Sequence, residues 1–477
     1  MIQSISIQSH LISPRSHLTT RSKVKKRSLM IPMKNFAFDN EVLILPTMAV
    51  QNLYLIILVC SSISVIFQGE CKKFQKYNDD QTLLSNSLTS NVILPPHLSG
   101  RDLLPEESKF PQFHQECSNE PVPPIHGPLS IPSFKVDLDL PPKQRWKEVV
   151  TAKKKEMELF LQFIRNNTDR IFGKKVFRVV EKYLPKLLPS LPPIYQKEMR
   201  GIAETAEMEV GDVVLFNIFY EFFSLCTSVV MEGKDGTMYH GRNLDFTTYM
   251  SWDRENKSWV SSQHLRNMTV KIDFMKDKRV LFSSVNFAGY IGILTGVKKG
   301  QFSLSINERF RVLGGYVGLL EWIMGIRKQN WVGFLTRQVL EEATSYEEAM
   351  EMLEKPKLLA PVYFILSSNN SKQASVITRD RRGYDVWNFG SRYANQDGDW
   401  YLVQTNYDHW KPPPLFDDRV TPVVRCADSI GNKNTTSTLF RVLSTVPVLN
   451  HETIYTAIMK INTGDLYTWV RHCQWPC

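Results

Sequence analysis

The sequence predicts an α+β fold of two antiparallel sheets sandwiched between helical layers. Three observations carry that prediction. Helical patterns give way to strands after residue 226, and helices and then strands return further on. An Asp235-Gly236 turn joins two apolar runs, which is a hairpin signal. Phe302, Leu304 and Ile306 alternate with Ser303, Ser305 and Asn307, the period of a strand. A chain of 477 residues is long enough for a substantial core in one large domain or two, and 43% hydrophobic with 22% charged residues is ordinary for a globular protein.

The elements follow in order. Residues 1–47 hold seven Lys/Arg against two Asp/Glu, half of the net charge of +10, in a Ser-rich leader or upstream extension. The rest has no concentrated basic stripe, so nucleic-acid binding is not indicated. Residues 48–70 read as a signal peptide, with a strong apolar part from Leu53 to Val59 followed by small and then polar residues. Residues 71–135, rich in Pro, Ser and Asn, read as a poorly structured pro-segment or extended arm. From Leu138 the character changes, and Pro141 to Trp146 leads into a helical pattern through Val149, Met157, Leu159, Phe160 and Phe163. A second helix is expected from Tyr195 to Met208, with Pro193 near its first turn and Gly211 beyond its end. Asp212 then reads as an N-cap for an apolar helix, Val213 to Phe223, too short to span a membrane.

Strands are expected at 271–274, 280–287, 289–296 and 302–307, helices at about 316–326, 331–342 and 345–353, and strands again at 362–366, 374–378, 384–389 and 400–404. With Asp235 and Gly236 as the two central turn residues of the hairpin, Cys226 faces Asp245 and Arg242 faces Val229, within a residue or two. A thiol, a guanidinium and a carboxylate then gather at one end of a hairpin. Taken alone, a cysteine behind an apolar run is more often a buried hydrophobe, and an Arg with an Asp a surface ion pair.

The seven cysteines shift that balance. Cys60 leaves with the signal peptide and Cys71 has no clear place. Cys473 and Cys477 have a spacing that permits a small terminal loop, and Cys117 and Cys426 remain as a long-range candidate pair. Cys226 is then the odd thiol, which in an oxidising compartment is buried or reactive. No Cys-x-x-Cys or His-x-x-x-His spacing suggests a metal, and no cofactor is expected. Asn166, Asn256, Asn267, Asn369 and Asn434 begin glycosylation sequons, consistent with a lumenal glycoprotein.

The stretch Cys226-Thr-Ser-Val-Val with His240-Gly-Arg-Asn-Leu-Asp245 resembles the choloylglycine-hydrolase group of N-terminal-nucleophile amidohydrolases, in its branch of acid ceramidases and N-acylethanolamine acid amidases. The resemblance runs from about Val136 to Cys477. It includes Asn286-Phe-Ala-Gly-Tyr-Ile-Gly, Ser305-Ile-Asn-Glu-Arg-Phe310, Gln404-Thr-Asn-Tyr-Asp-His-Trp-Lys411 and Asp417-Asp-Arg-Val-Thr-Pro422. Asn307-Glu-Arg-Phe, Gly314 to Ile323 and the terminal cysteine pair look more like the ceramidases; Tyr407 to Pro412 is phrased more like the amidases. Val420 stands where the family usually has a second Arg.

The resemblance implies an αββα N-terminal-nucleophile fold and a precursor cut between Leu225 and Cys226. A mostly helical α-subunit (71–225, its helical part 136–225) and a catalytic β-subunit (226–477) would result, joined by a Cys117–Cys426 disulfide. It implies Cys226 as nucleophile, its freed amine as proton carrier and Asp245 holding that amine. Arg242 would stabilise negative charge and Asn406 would donate to the oxyanion. Glu308 and Arg419 would organise the site. The implied substrate is ceramide or a related N-acyl lipid, met at the lysosomal membrane surface, with a saposin-type activator as partner. Phe246, Tyr249, Trp252, Phe287, Tyr290 and Trp322 would mostly be core, some lining an acyl channel, and helix 213–223 would cover the site before cleavage. His240, Asp408 and His409 lie nearby without an implied role. A fatty acid ethanolamide amidase, an acyltransferase using the same thioester, and a non-catalytic lipid-binding protein are the competing readings.

Overall fold

The computed structural model describes residues 116–172, 188–219, 224–246, 252–253, 258–309, 318, 322, 329–390, 400–414, 417–432 and 435–473. The leader and signal peptide, Cys60, Cys71, Asn256, Asn434, Cys477 and most of the helix expected at 316–326 lie outside these residues. None of the described helices is long and apolar enough to cross a membrane.

In chain order, strand β1 (Ser133–Asp137) precedes three helices, α1 (Lys147–Phe172), α2 (Pro193–Ala206) and α3 (Val210–Phe219). The hairpin β2 (Ser224–Glu232) and β3 (Met238–Phe246) follows, then the short pair β4 (Trp252–Asp253) and β5 (Ser258–Trp259), and α4 (Val260–Met268). Next come β6 (Thr269–Lys276), β7 (Arg279–Phe287), β8 (Thr295–Lys298) and β9 (Phe302–Glu308), then α5 (Val332–Glu342) and α6 (Tyr346–Glu354). Strands β10 (Val362–Ser368), β11 (Ala374–Arg379), β12 (Tyr384–Asn388) and β13 (Tyr401–Gln404) lead to α7 (Val420–Ile430), α8 (Thr435–Leu443), β14 (Thr453–Lys460) and β15 (Asp465–Val470).

Two sheets form. One has eight strands in the order β1-β6-β7-β8-β9-β10-β11-β12, and the other five, β13-β2-β3-β14-β15. All pairings are antiparallel except β1 with β6. The inner faces meet where Ser228 of β2 bonds Ser305 and Asn307 of β9. Helices α5 and α6 cover the larger sheet, and α7 and α8 cover the smaller one. The layered α+β architecture is as the sequence predicts.

Several local expectations need correction. Helix α3 starts at Val210, so Asp212 sits in its first turn and pairs with Arg165 at 3.0 Å instead of capping it. Gly289 to Leu294 is not strand. Gly289 turns with φ +85, and Asn217 of α3 takes the backbone there, donating to Gly289 O and accepting from Ile291 N. The polar face of β9 is buried like its apolar face, because it meets the second sheet and not water. Residues 116–132 run as an arm tied to the body by the Cys117–Cys426 disulfide and by Trp469 Nε1 donating to Pro123 O.

The hairpin turn decides the register at the site. A two-residue type I′ loop needs positive φ at both central residues. Only Gly236, at φ 75, has it; Asp235 does not. The loop is instead the three-residue kind, closed by Gly236 N to Gly233 O and Gly233 N to Thr237 O. Pairing therefore shifts by one: Cys226 faces Leu244, Ser228 faces Arg242 and Leu225 faces Asp245. Arg242 and Asp245, three residues apart on β3, lie on opposite faces in any register; the shift by one moves the Cys226 thiol from the Asp245 face to the Arg242 face. At Gly241, a Cβ would come within 3.0 Å of Leu439 and Leu443, so glycine lets α8 pack directly on β3.

Candidate active site

Cys226 lies on the inner face of β2 and is fully buried. Arg242, also fully buried, reaches it from β3 with Nη2 2.6 Å from Sγ. The guanidinium is held in a cage of acceptors: Nη2 also donates to Ile306 O at 2.7 Å, and Nη1 to Thr295 Oγ1 at 2.7 Å and to Leu294 O. Tyr455 OH is 2.8 Å from the same Thr295 hydroxyl. Burial pushes the Cys226 thiol up, and Arg242 offsets only part of that. In the uncut chain the sulfur is thus a sequestered thiol beside a fixed positive charge.

The backbone of Cys226 faces a second group of residues at the edge of the smaller sheet. Its N–H donates to Asn406 Oδ1 at 2.7 Å. The Asn406 oxygen also accepts from Arg419 Nη2 at 2.8 Å, while Nδ2 donates to Glu308 O at 2.8 Å. Two donors on one end and a carbonyl on the other fix which way this amide points. It presents its oxygen to Cys226, and its N–H₂, the expected oxyanion donor, is engaged by Glu308. Arg419 precedes α7 and donates to Cys226 O at 2.9 Å and bidentately to Asp417 at 2.8 and 2.9 Å. Glu308 ends β9, and its backbone carbonyl is what reaches Asn406.

Asp245 lies on the helix-facing side. Its Oδ2 is 3.5 Å from Arg419 Nη1 and 3.3 Å from Asn450 Nδ2. It joins the site through Arg419, and no contact between Arg242 and Asp245 is formed, because three residues along β3 put them on opposite faces. Burial raises the Asp245 carboxyl to about 6, against the pull of Arg419. A carboxyl raised on folding favours its protonated form, so its contribution to stability is full below about pH 4 and is lost as pH rises through about 6. Over that window roughly 3 kcal/mol is at stake. Asp245→Asn should flatten this part of the pH–stability curve, which thermal unfolding of the uncut Cys226→Ala chain from pH 4 to 7 would measure; an unchanged slope would contradict the assignment.

Asn307 was visible in the sequence only as part of a motif. It donates to Gln404 O at 2.8 Å and lies 3.5 Å from Cys226 O, so it links the two sheets beside the nucleophile. The polar alternation of 303, 305 and 307 was its signal. Thr295, Tyr455 and Asn450 carried no such signal. His240 contacts Ser303 and Ser305 at 3.0 and 2.9 Å, and burial drives its imidazole down to about 3, so it packs as a neutral ring. His409 stacks on Trp387 at 4.3 Å.

Phe246, Phe287, Tyr290 and Trp322 are buried core residues; Tyr249 and the Trp252 side chain lie outside the described residues. Asn166 and Asn267 are exposed and Asn369 is half-buried. Cys473 is disulfide-bonded, and Cys226 is the free cysteine among the described residues. No cluster of three metal-ligating side chains forms among them.

The family model of linear amide C–N hydrolases, choloylglycine hydrolase family, matches residues 226–431, starting at Cys226 itself. The model of the beta subunit of N-acylethanolamine-hydrolyzing acid amidase matches residues 130–191. The chain is 43% identical over 374 residues to acid ceramidase of Pan troglodytes, covering 77% of this chain and 93% of that protein. Identity to acid ceramidase of Homo sapiens is 43% over 373 residues, with the same coverage. Among solved structures, the Caenorhabditis elegans N-acylethanolamine-hydrolyzing acid amidase ortholog matches with a TM-score of 0.43 and 29% identity, over 52% of this chain and 100% of that one.

Proposed function

Because this chain belongs to the acid ceramidase family, we propose that it hydrolyses the amide bond of ceramide, releasing sphingosine and a free fatty acid. One observation carries the reading: the linear-amide-hydrolase match begins at a buried thiol that has a guanidinium 2.6 Å from its sulfur.

Two steps share the nucleophile. In maturation, Cys226 Sγ attacks the Leu225 carbonyl, the acyl group moves from nitrogen to sulfur, and water hydrolyses the thioester. This frees the Leu225 carboxylate and the Cys226 α-amine. In turnover, the thiol attacks the ceramide carbonyl, the α-amine accepts the thiol proton and returns it to the leaving sphingosine nitrogen, and water releases the fatty acid.

Arg242 stabilises negative charge at sulfur. Asn406 Oδ1, already bonded to the Cys226 nitrogen, holds the freed amine, and Asp245 acts by anchoring Arg419. Glu308 organises the loop that carries Asn406. The full burial of the sulfur makes the uncut chain a latent precursor.

The products are an α-subunit ending at Leu225 and a β-subunit starting at Cys226, held together by Cys117–Cys426. On a denaturing gel the matured protein should run as one species without reductant and as two with it; separation without reductant would contradict the link. A signal peptide, sequons and the family support a glycosylated lysosomal enzyme that meets its lipid at a membrane surface with a saposin-type activator.

The match at 130–191 favours fatty acid ethanolamides as a second substrate class. Release of sphingosine from ceramide and of ethanolamine from an N-acylethanolamine, measured side by side at acidic pH in detergent micelles, tests the choice. Ceramide is expected to show the larger kcat/KM; turnover of the ethanolamide alone would overturn the ceramide reading.

A further inference from the structure

We propose that the buried Arg309–Asp408 ion pair is a positioning device that pins Asn406, and the end of β9, against Cys226. The inference rests on the reading of Cys226 as nucleophile. Asn406 sits on a loop, 405–414, that continues from the edge strand β13, and none of these residues belongs to a strand. A side chain on such a loop needs an anchor to hold it at hydrogen-bond distance from the reacting residue.

The anchor lies next to it on both sides. Asn406 Nδ2 bonds Glu308 O; one residue beyond Glu308, Arg309 Nε donates to Asp408 Oδ1 at 2.7 Å, two residues beyond Asn406. The two bonds close a ring of chain around the Asn406–Glu308 contact. Arg309 and Asp408 are 5% and 6% exposed. Tyr363 of β10, paired in register with Asn307, donates to the same Asp408 oxygen at 2.8 Å. Lys411 Nζ lies 3.1 Å from Oδ2, and Arg309 Nη1 donates to Asp380 at 3.0 Å. The guanidinium is 5.7 Å from the ring centres of both Tyr363 and Trp410. A loop of the smaller sheet is thereby fastened to two strands of the larger one.

The device is built for acid. Burial alone would raise the Asp408 carboxyl, but the bonds from Arg309, Tyr363 and Lys411 outweigh it and hold the group at about 2. A carboxyl lowered on folding contributes stability above its ordinary value near 4 and loses it only as pH falls through about 2. The pair is therefore still charged at mildly acidic pH.

The test compares the full chain with Arg309→Met/Asp408→Leu, which removes both charges together and so avoids a lone buried ion. Asp408→Asn, close in size, is run in parallel, so that a folding failure of either variant leaves the other to decide. The first readout is hydrogen exchange of the backbone amide at position 226 in the uncut Cys226→Ala background, where Asn406 is its acceptor. Exchange there should rise by about 10-fold or more, with residues 229–231 unchanged. The second readout, with Cys226 intact, is self-cleavage rate and the kcat–KM split. Cleavage and kcat should fall roughly 10- to 100-fold at nearly constant KM. Unchanged exchange at 226, or loosened exchange with wild-type cleavage and kcat, would overturn the proposal. If the parent chain itself does not cleave, the nucleophile reading fails, and the exchange measurement still decides whether the pair holds Asn406.

Discussion

Arg242→Leu is expected to lower both self-cleavage and amide turnover by roughly 10²- to 10³-fold, the usual effect of removing one charge-stabilising donor. The reason lies in its surroundings. Arg242 is fully buried between two sheets, and its nitrogens are shared between one sulfur, one hydroxyl and two backbone carbonyls. The thiol, already raised by burial, loses the group that most opposes that rise. Arg242→Lys should recover little, since an ammonium cannot serve the thiol and the carbonyls of Leu294 and Ile306 from one fixed fork. Single-turnover cleavage and kcat, with near-ultraviolet circular dichroism to verify folding, measure the effect. A folded Arg242→Leu protein within threefold of wild type would contradict the assigned role.

The largest effect on stability is expected at Glu198. This carboxylate of α2 is fully buried and accepts from Arg145 at 2.9 Å, Trp146 Nε1 at 2.8 Å and Arg337 of α5 at 2.5 and 2.8 Å. Arg337 also lies 5.0 Å from the Tyr195 ring centre. Burial by itself would raise the Glu198 carboxyl; Arg337, with the bonds from Trp146 and Arg145, outweighs it and leaves it lowered. Its stabilisation is thus present above the ordinary carboxylate value and lost only well into acid. Glu198→Ala leaves the buried Arg337 with only Glu341 at 2.6 Å as a charged partner and should cost about 3 kcal/mol, whereas replacing Glu198 and Arg337 together by apolar residues should cost less. Because α2 precedes and α5 follows the proposed cut, this pair is also a non-covalent bond between the two products. Denaturant unfolding of the single and double variants checks it; equal losses in both would contradict a charge-pair origin.

The layer architecture was legible because apolar periodicity reports which faces are buried, and the helices from Lys147, Pro193, Val332 and Tyr346 start within two residues or so of their sequence signals. What failed was loop chemistry. Asp235-Gly236 reads as a two-residue turn, and the single φ sign of Asp235 moves the whole hairpin by one position. The alternation of β9 marks a strand but not what its polar side meets, which is the second sheet. Elements after Gln404 went unread: β14 is buried on nearly its whole length and shows no alternation. Helix α7 carried a usable signal, Pro422 in its first turn and Gly431 beyond its end. At the site, the hairpin brings Cys226 and Arg242 to one end in either register, but only the three-residue turn puts them on one face. Asn406, Glu308 and Arg419 could not be placed there from the hairpin, because about 80 to 190 residues of chain separate them from Cys226 and only tertiary packing brings them together.

The most direct test of the central claim is intact mass with N-terminal sequencing of the secreted chain after incubation at acidic pH, beside Cys226→Ala. A new terminus beginning Cys-Thr-Ser-Val, in the unaltered chain and not in Cys226→Ala, is the predicted result. An unaltered chain that stays whole, or a Cys226→Ala chain cut at the same bond, would contradict it.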